Sequence, residues 1–216
     1  MLAVPISSSK AHHAPASCSP FRRLVGESAW ELPPRAVRHR FGRLLAPGES
    51  AVFIGEVAAT TMTKTGWLWA QVARLMGAPL PLKRLSHTPA AVLVTEDTAS
   101  DMQLWTRIYH EPGRLPQVIR SMKRFAGPTG LEECVGAGFG MVLSVTVEHR
   151  CLVFRSEEYF WRFGDQRVRI PRPLTPGRIE VIHREERAGQ FSFSLNVDHP
   201  WFGRIIEQVA FFRDAL

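Results

Sequence analysis

Apolar and polar residues alternate along several segments in the C-terminal half of this chain. The alternation is unbroken in Phe191–Asp198 and nearly unbroken in Met141–Glu148. Since a period of two places successive side chains on opposite faces of a strand, each segment offers one face to a core and one to water. Short turns separate these segments, so the pattern predicts an antiparallel sheet.

Further segments between residues 51 and 212 have strand character, and two segments are helical. The main predicted helix is Thr65–Met76, which ends before Gly77, and a shorter one covers Leu32–Phe41. Phe202–Phe212 fits a helix or a strand. The other predicted strands are Ala51–Thr61, Ala90–Glu96, Met102–Glu111, Gln117–Phe125, Leu131–Val135, Cys151–Arg155 and Arg178–Arg187.

These elements predict a mainly β protein of the α+β type. About nine strands are too many for a flat open sheet, and closure removes exposed edges. We therefore expect a curled antiparallel sheet that forms a barrel or half-barrel, with one main helix and a short N-terminal helix.

The first 30 residues differ from the rest of the chain. They are rich in Ser and Pro and lack the charged start and the apolar stretch of a secretory signal. We expect a disordered tail over residues 1–30, followed by one β-rich domain over residues 31–216. Three widely spaced cysteines and the lack of an apolar run of roughly 20 residues predict a cytoplasmic protein that does not span a membrane.

The formal net charge of +7 raises the question of a nucleic-acid partner. Lysine supplies only Lys10, Lys64, Lys83 and Lys123, and arginine supplies the remaining positive charges. A GC-rich genome produces such an excess of arginine without selection for a ligand. Nucleic-acid binding requires a basic patch on a recognisable module. No such module is present, so we expect no nucleic-acid partner.

Several motifs, taken in order, resemble the bacterial family catalogued as domain of unknown function 4166. They are Leu32-Pro33 with Arg38–Phe41, the Trp67–Pro79 helix, Trp105-Thr106-Arg107, Glu133–Gly136, Ile170–Pro176 and Phe191–Gly203. The resemblance spans Leu32 to Phe212. Family members are free-standing or follow a nucleotide-binding dehydrogenase-like domain, which implies a possible dehydrogenase-like partner. The family's Tyr-x-Gly element is Gln208-Val209-Ala210 here, and the resemblance supplies no chemistry.

The predicted strand Met102–Glu111 carries the best candidates for ligand binding. Trp105, Arg107 and Tyr109 project to one of its faces. If that face lines the barrel interior, an arginine between aromatic walls would bind a carboxylate or phosphate through its planar fork. The alternative is an exposed Arg107 that stacks on Trp105 or forms a structural ion pair.

Glu133 is a weaker candidate, for catalysis. A buried glutamate must be paired or protonated, and its natural partner across the sheet is Arg107. The pair is either a structural clamp or a general acid/base beside an anion site.

Searches for other chemistry find no candidate. No histidines have the spacing of a zinc site, and no G-x-S-x-G or catalytic cysteine context occurs. We therefore expect no metal and no cofactor. Three functions remain open. The first is a barrel that binds a hydrophobic, acid-headed small molecule. The second is an isomerase, cyclase or hydratase that uses Glu133 and Arg107, and the third is an interaction module without a ligand.

Overall fold

Eleven strands form one antiparallel sheet within the residues described. The computed structural model describes residues 19–46, 48–77, 80–97, 102–164, 166–187 and 189–215. The strands are β1 (Ser50–Met62), β2 (Ser86–Asp97), β3 (Met102–Tyr109), β4 (Gln117–Arg124), β5 (Glu132–Cys134), β6 (Phe139–Glu148), β7 (Cys151–Phe163), β8 (Gln166–Ile170), β9 (Arg178–Arg187), β10 (Gln190–His199) and β11 (Gly203–Asp214).

The described α-helices lie at the N-terminus and between the first two strands. They are α1 (Pro20–Val25), α2 (Glu27–Trp30), α3 (Arg35–Gly42) and α4 (Lys64–Leu75). Two single turns of 3-10 helix cover Gly136–Gly138 and Arg172–Leu174.

Ten of the strands close into a barrel, which confirms the predicted fold class. Each strand from β1 to β7 pairs with the next, the sheet continues through β9, β10 and β11, and β11 pairs with β1. Along one edge, β7 pairs with two different strands, β8 and β9. Its first half, Leu152–Arg155, pairs with β9, and its second half, Tyr159–Phe163, pairs with β8. The ambiguous segment Phe202–Phe212 is therefore mostly strand, and β8 is a strand that the sequence pattern did not reveal.

One end of the barrel is closed by α1, α2 and α3, and we call it the plug end. Phe21 of α1 packs edge-on against Phe41 of α3 at 5.3 Å and against Phe154 of β7 at 5.9 Å between ring centroids. Trp30 of α2 is also buried. Aromatic side chains bury large apolar areas, so these contacts bind the helices firmly to the sheet.

The plug end corrects part of the predicted tail. Residues 20–30 were expected to be disordered, but they form α1 and α2 and bury Phe21 and Trp30. The prediction was wrong there because the alternation that reveals strands says nothing about two short helices that a barrel end stabilises. Residues 1–18 lie outside the described residues.

The opposite end is covered by α4, and we call it the mouth end. Thr63 caps this helix, since its hydroxyl accepts a hydrogen bond from the Gly66 amide at 3.0 Å. The Thr63 amide in turn donates to the Ile205 carbonyl of β11 at 3.0 Å. The buried face of α4 consists of small residues, namely Gly66, Ala70 and Ala73. The helix therefore lies close against the strands beneath it.

Replacing Gly66 by alanine tests this close approach. A Cβ at this position would lie 2.2 Å from the Ile205 carbonyl oxygen, so the N-terminal turn of α4 must move away from β11. We expect Gly66→Ala to lower the free energy of unfolding by about 1–3 kcal/mol, measured by urea denaturation.

Gly42→Ala in α3 is the matched control. Its Cβ would meet Trp30 at an ordinary 3.5 Å, so the higher helix propensity of alanine should leave stability unchanged or raise it by up to about 1 kcal/mol. A Gly66→Ala variant that is as stable as its Gly42→Ala counterpart would show that α4 does not need this contact.

Candidate functional site

A cavity of about 110 Å³ lies inside the barrel between its two ends. It shares lining residues with two smaller cavities of about 70 Å³ each. Met141 and Ile179 also line the one toward α4, and Trp105 and Phe193 also line the one toward the plug end. The interior therefore contains a row of cavities along the barrel, with mainly apolar walls.

Strand β3 directs the three predicted binding residues into the central cavity. Trp105, Arg107 and Tyr109 all line it, and Trp105 and Tyr109 are each 7% exposed. Leu104, on the other face of the strand, is 41% exposed. The alternation along β3 thus grouped these three side chains correctly on one face, the structure shows that this face is the inward one, and their role in binding stays a prediction.

A cluster of charged side chains lies in the wall of this cavity, and we call Arg107, Lys123 and Glu133 the cationic cluster. The Lys123 ammonium donates to Glu133 Oε2 at 3.0 Å, and Arg107 Nη2 donates to Glu133 Oε1 at 3.4 Å. Arg107 Nη1 also donates to the Ser121 hydroxyl at 3.2 Å. The predicted pairing of Arg107 with Glu133 across the sheet is confirmed.

Strands β4 and β5 position the other two members of the cluster. The inward face of β4 carries Ile119, Ser121 and Lys123, which are all buried. In the strand register Lys123 lies directly opposite Glu133 of β5. Sequence reasoning missed Lys123. The signal that reveals it is its place two residues after Ser121 and four after Ile119, on the same face of the strand.

Electrostatics hold Glu133 ionised. Burial alone would raise the pKa of this carboxyl, but the charges of Lys123 and Arg107 and hydrogen bonds from Ser121 and Lys123 outweigh it and lower the pKa to about 2. Burial lowers the pKa of Lys123, although Glu133 opposes the change. The ammonium also lies 4.6 Å from the centre of the Trp105 ring, which stabilises a cation.

The cluster carries two cations and one carboxylate, and Glu133 is the one acidic residue among the described residues that line the cavity. Its neighbour Glu132 is also buried but points to the other face of β5, where it pairs with Arg162 and Arg167. With Lys123 protonated, the central cavity has a surplus of one positive charge.

A glutamine opposite the charged residues, Gln208, also lines the cavity. Gln208 of β11 is buried, and its side-chain amide donates to the Thr60 hydroxyl of β1 at 2.8 Å. It adds a polar group to the wall opposite the cationic cluster without adding charge.

Other kinds of site were searched for in the same residues. Within the described ranges, no three side chains among His, Cys, Asp and Glu come together as metal ligands would. Across those ranges, no helix has the length and apolar character needed to cross a bilayer.

Removing the Glu133 carboxylate should destabilise the protein strongly. In Glu133→Gln the two cations remain buried without their counter-charge, which typically costs about 3–5 kcal/mol. We expect this loss in the free energy of unfolding in urea at neutral pH. Lys123→Met in the same background removes one of the stranded cations, so the double variant should recover part of the loss.

The acid dependence of stability offers an independent check. The folded pKa of about 2 lies below the ordinary 4.5, so the contribution of Glu133 is complete above pH 4.5 and is lost as the pH falls toward 2. Glu133→Gln should therefore lose less stability than the wild type across that window. If the free energy of unfolding fell equally with pH in the two proteins, Glu133 would not be the ionised carboxylate responsible.

Comparison with known proteins identifies the family. The model of a family described as a domain of unknown function, DUF4166, matches residues 32–212, which is most of the chain. Searches of curated proteins and of solved structures give no significant match. The match covers the strands of the barrel, apart from the last two residues of β11, and the three residues of the cationic cluster. The chain therefore belongs to the DUF4166 family.

Proposed function

We propose that the barrel binds a small, mainly apolar molecule with one anionic head group. The observation that carries this proposal is the surplus positive charge of the cationic cluster inside an otherwise apolar cavity. A buried charge without a counter-charge is costly, so a cavity with two cations and one carboxylate favours an anionic occupant.

Arg107 is the residue proposed to hold the head group. Its side chain is 24% exposed, whereas the Lys123 side chain is 7% exposed. Two guanidinium nitrogens each donate one hydrogen bond, to Ser121 and Glu133, and a guanidinium has five N–H donors. Arg107 therefore has donors left for a carboxylate or phosphate, which its planar fork can bind in bidentate fashion.

The size of the cavity limits the ligand. At about 110 Å³ it is somewhat smaller than the roughly 150 Å³ cavity that binds benzene in an engineered protein. Trp105 and Tyr109 would contact the apolar body of the ligand beside its head group. The adjoining cavity under α4 gives space for a longer tail, so a short acyl chain fits better than a large polycyclic molecule.

The enzymatic alternative has weaker support. A general acid or base works best with a pKa near the working pH, whereas the pKa of Glu133 is about 2 and its carboxylate is paired with two cations. This arrangement favours the structural clamp among the two predicted roles of Glu133. A cytoplasmic location and a dehydrogenase-like partner stay predictions.

Binding of octanoate, compared with the uncharged octanol, tests the proposal by calorimetry. We expect octanoate to bind more tightly, and Arg107→Gln to weaken octanoate binding about 10- to 100-fold, the effect of a charge-assisted hydrogen bond. The variant should fold, because it leaves the Lys123–Glu133 pair intact.

Arg120→Gln is the matched control. Arg120 lies on the same sheet, opposite Thr106 of β3, but on the exposed face. It should bind octanoate like the wild type. Equal affinity for octanoate and octanol, or equal loss in both arginine variants, would refute an anion site at Arg107. Native mass spectrometry of protein from its own host would then identify any bound molecule directly.

A further inference from the structure

Large apolar side chains are exposed around the mouth end. Trp67, Leu68 and Leu75 of α4 are each more than half exposed, although their helical spacing is typical of a buried face. Three further side chains on neighbouring loops are exposed to the same degree, namely Leu174, Trp201 and Phe202. Exposed aromatic residues in one region mark an interaction surface more often than a solvated one.

Contacts within the mouth end show that these residues belong to one surface. Trp69 of α4 packs near His199, with ring centroids 6.2 Å apart, and His199 lies 4.8 Å from Phe202 and 5.7 Å from Trp201. Leu174 lines the same cavity beneath α4 as Trp69. The six exposed residues therefore lie at the barrel end that holds the cavity beneath α4, and we call them the aromatic rim.

The polypeptide around the aromatic rim is basic. The described segments that connect strands at this end are residues 63–77, 80–85, 110–116, 135–138, 171–177 and 200–202, and together they contain six Lys or Arg and one Glu. Lys64, Arg74 and Arg172 are exposed. None of these three forms an ion pair with any residue in the described part of the chain.

We propose that the aromatic rim docks on the surface of an anionic lipid bilayer. Tryptophan and phenylalanine favour the boundary between head groups and acyl chains, and nearby basic residues are attracted to anionic lipids by about 1 kcal/mol each. The combination of exposed aromatic residues and surplus positive charge is the complement of such a surface. A partner protein or a second copy of this chain would need a matching acidic and apolar face, and this barrel end offers no acidic surplus to pair with its own copy.

Docking would also place α4 and the cavity beneath it next to the lipid. The inference does not rest on the proposed ligand, because the rim and its charges lie outside the central cavity. If both proposals hold, an apolar ligand could pass between bilayer and barrel beneath α4 without crossing water.

Sedimentation with vesicles of phosphatidylcholine, with and without phosphatidylglycerol, tests the proposal. We expect binding that requires phosphatidylglycerol, weakens with added salt, and shifts tryptophan fluorescence to the blue. Trp201→Ser combined with Phe202→Ser should reduce the bound fraction at least tenfold. Lys64→Gln and Arg74→Gln should each weaken binding about fivefold.

Leu32→Ser combined with Leu44→Ser is the matched control, since both leucines are exposed near the plug end. This variant should bind vesicles like the wild type. Binding to neither vesicle, or equal loss in the control, would overturn the proposal. So would a dimer in analytical ultracentrifugation that disappears in the Trp201 and Phe202 variant, which would make the rim an interface between copies. Octanoate affinity, measured on the rim variants, separates a failure here from a failure of the ligand site.

Discussion

Closure of ten strands is the constraint on which the rest of the structure depends. A barrel of about eight strands is just wide enough for side chains to fill its interior, and the diameter grows with strand number. Ten strands therefore enclose more space than inward-facing side chains occupy, even when many of them are aromatic. Two consequences follow. A cavity remains at the centre, and both open ends must be covered by other elements, which are α1 to α3 at one end and α4 at the other.

The charged residues in the cavity depend on this closed wall. Inside a low-dielectric barrel, a carboxylate is stable only with partners close at hand, which Lys123 and Arg107 provide for Glu133. The register of β3, β4 and β5 places all three residues on one side of the interior, with Trp105 beside the ammonium. The same register that closes the sheet thus creates a cationic wall, and a change in one of these residues alters both stability and the charge presented to a ligand.

The strands could be predicted from the sequence better than the barrel closure, Lys123 or the N-terminal helices. Period-two alternation identified most strands and placed Trp105, Arg107 and Tyr109 on one face of β3, whereas which face is inward depends on how the sheet closes. Barrel closure was one of two alternatives, since the pairing of β11 with β1 joins residues at opposite ends of the chain. Lys123 was missed because an inward lysine resembles a polar-face residue until its partner Glu133 is seen opposite. The helices of residues 20–30 were missed because their stability comes from the barrel end and not from their own pattern.

The two ends of the barrel differ in how firmly they are closed. At the plug end Arg40 is buried against the Phe191 ring at 3.7 Å and donates to Glu185 at 3.2 Å and to His183 at 3.0 Å. Burial and the Arg40 charge hold the pKa of His183 well below its usual range, so its neutral ring can accept this hydrogen bond. Opening the plug end would break the hydrogen bonds of Arg40 and expose the aromatic side chains Phe21, Trp30 and Phe41.

At the mouth end, the fully buried residues of α4 are Gly66, Ala70 and Ala73, which each contribute little apolar area, and Trp69 packs half-buried against the core. The plug helices bury the larger side chains Phe21, Trp30 and Phe41, so α4 covers its end of the barrel with smaller fully buried side chains than they do. The exposed aromatic residues and the exposed basic residues of the mouth end lie on and around α4. The barrel end that is covered by small buried side chains is also the end that carries the exposed aromatic residues and the positive charge. This arrangement is expected if the cavity is filled and emptied at a lipid surface.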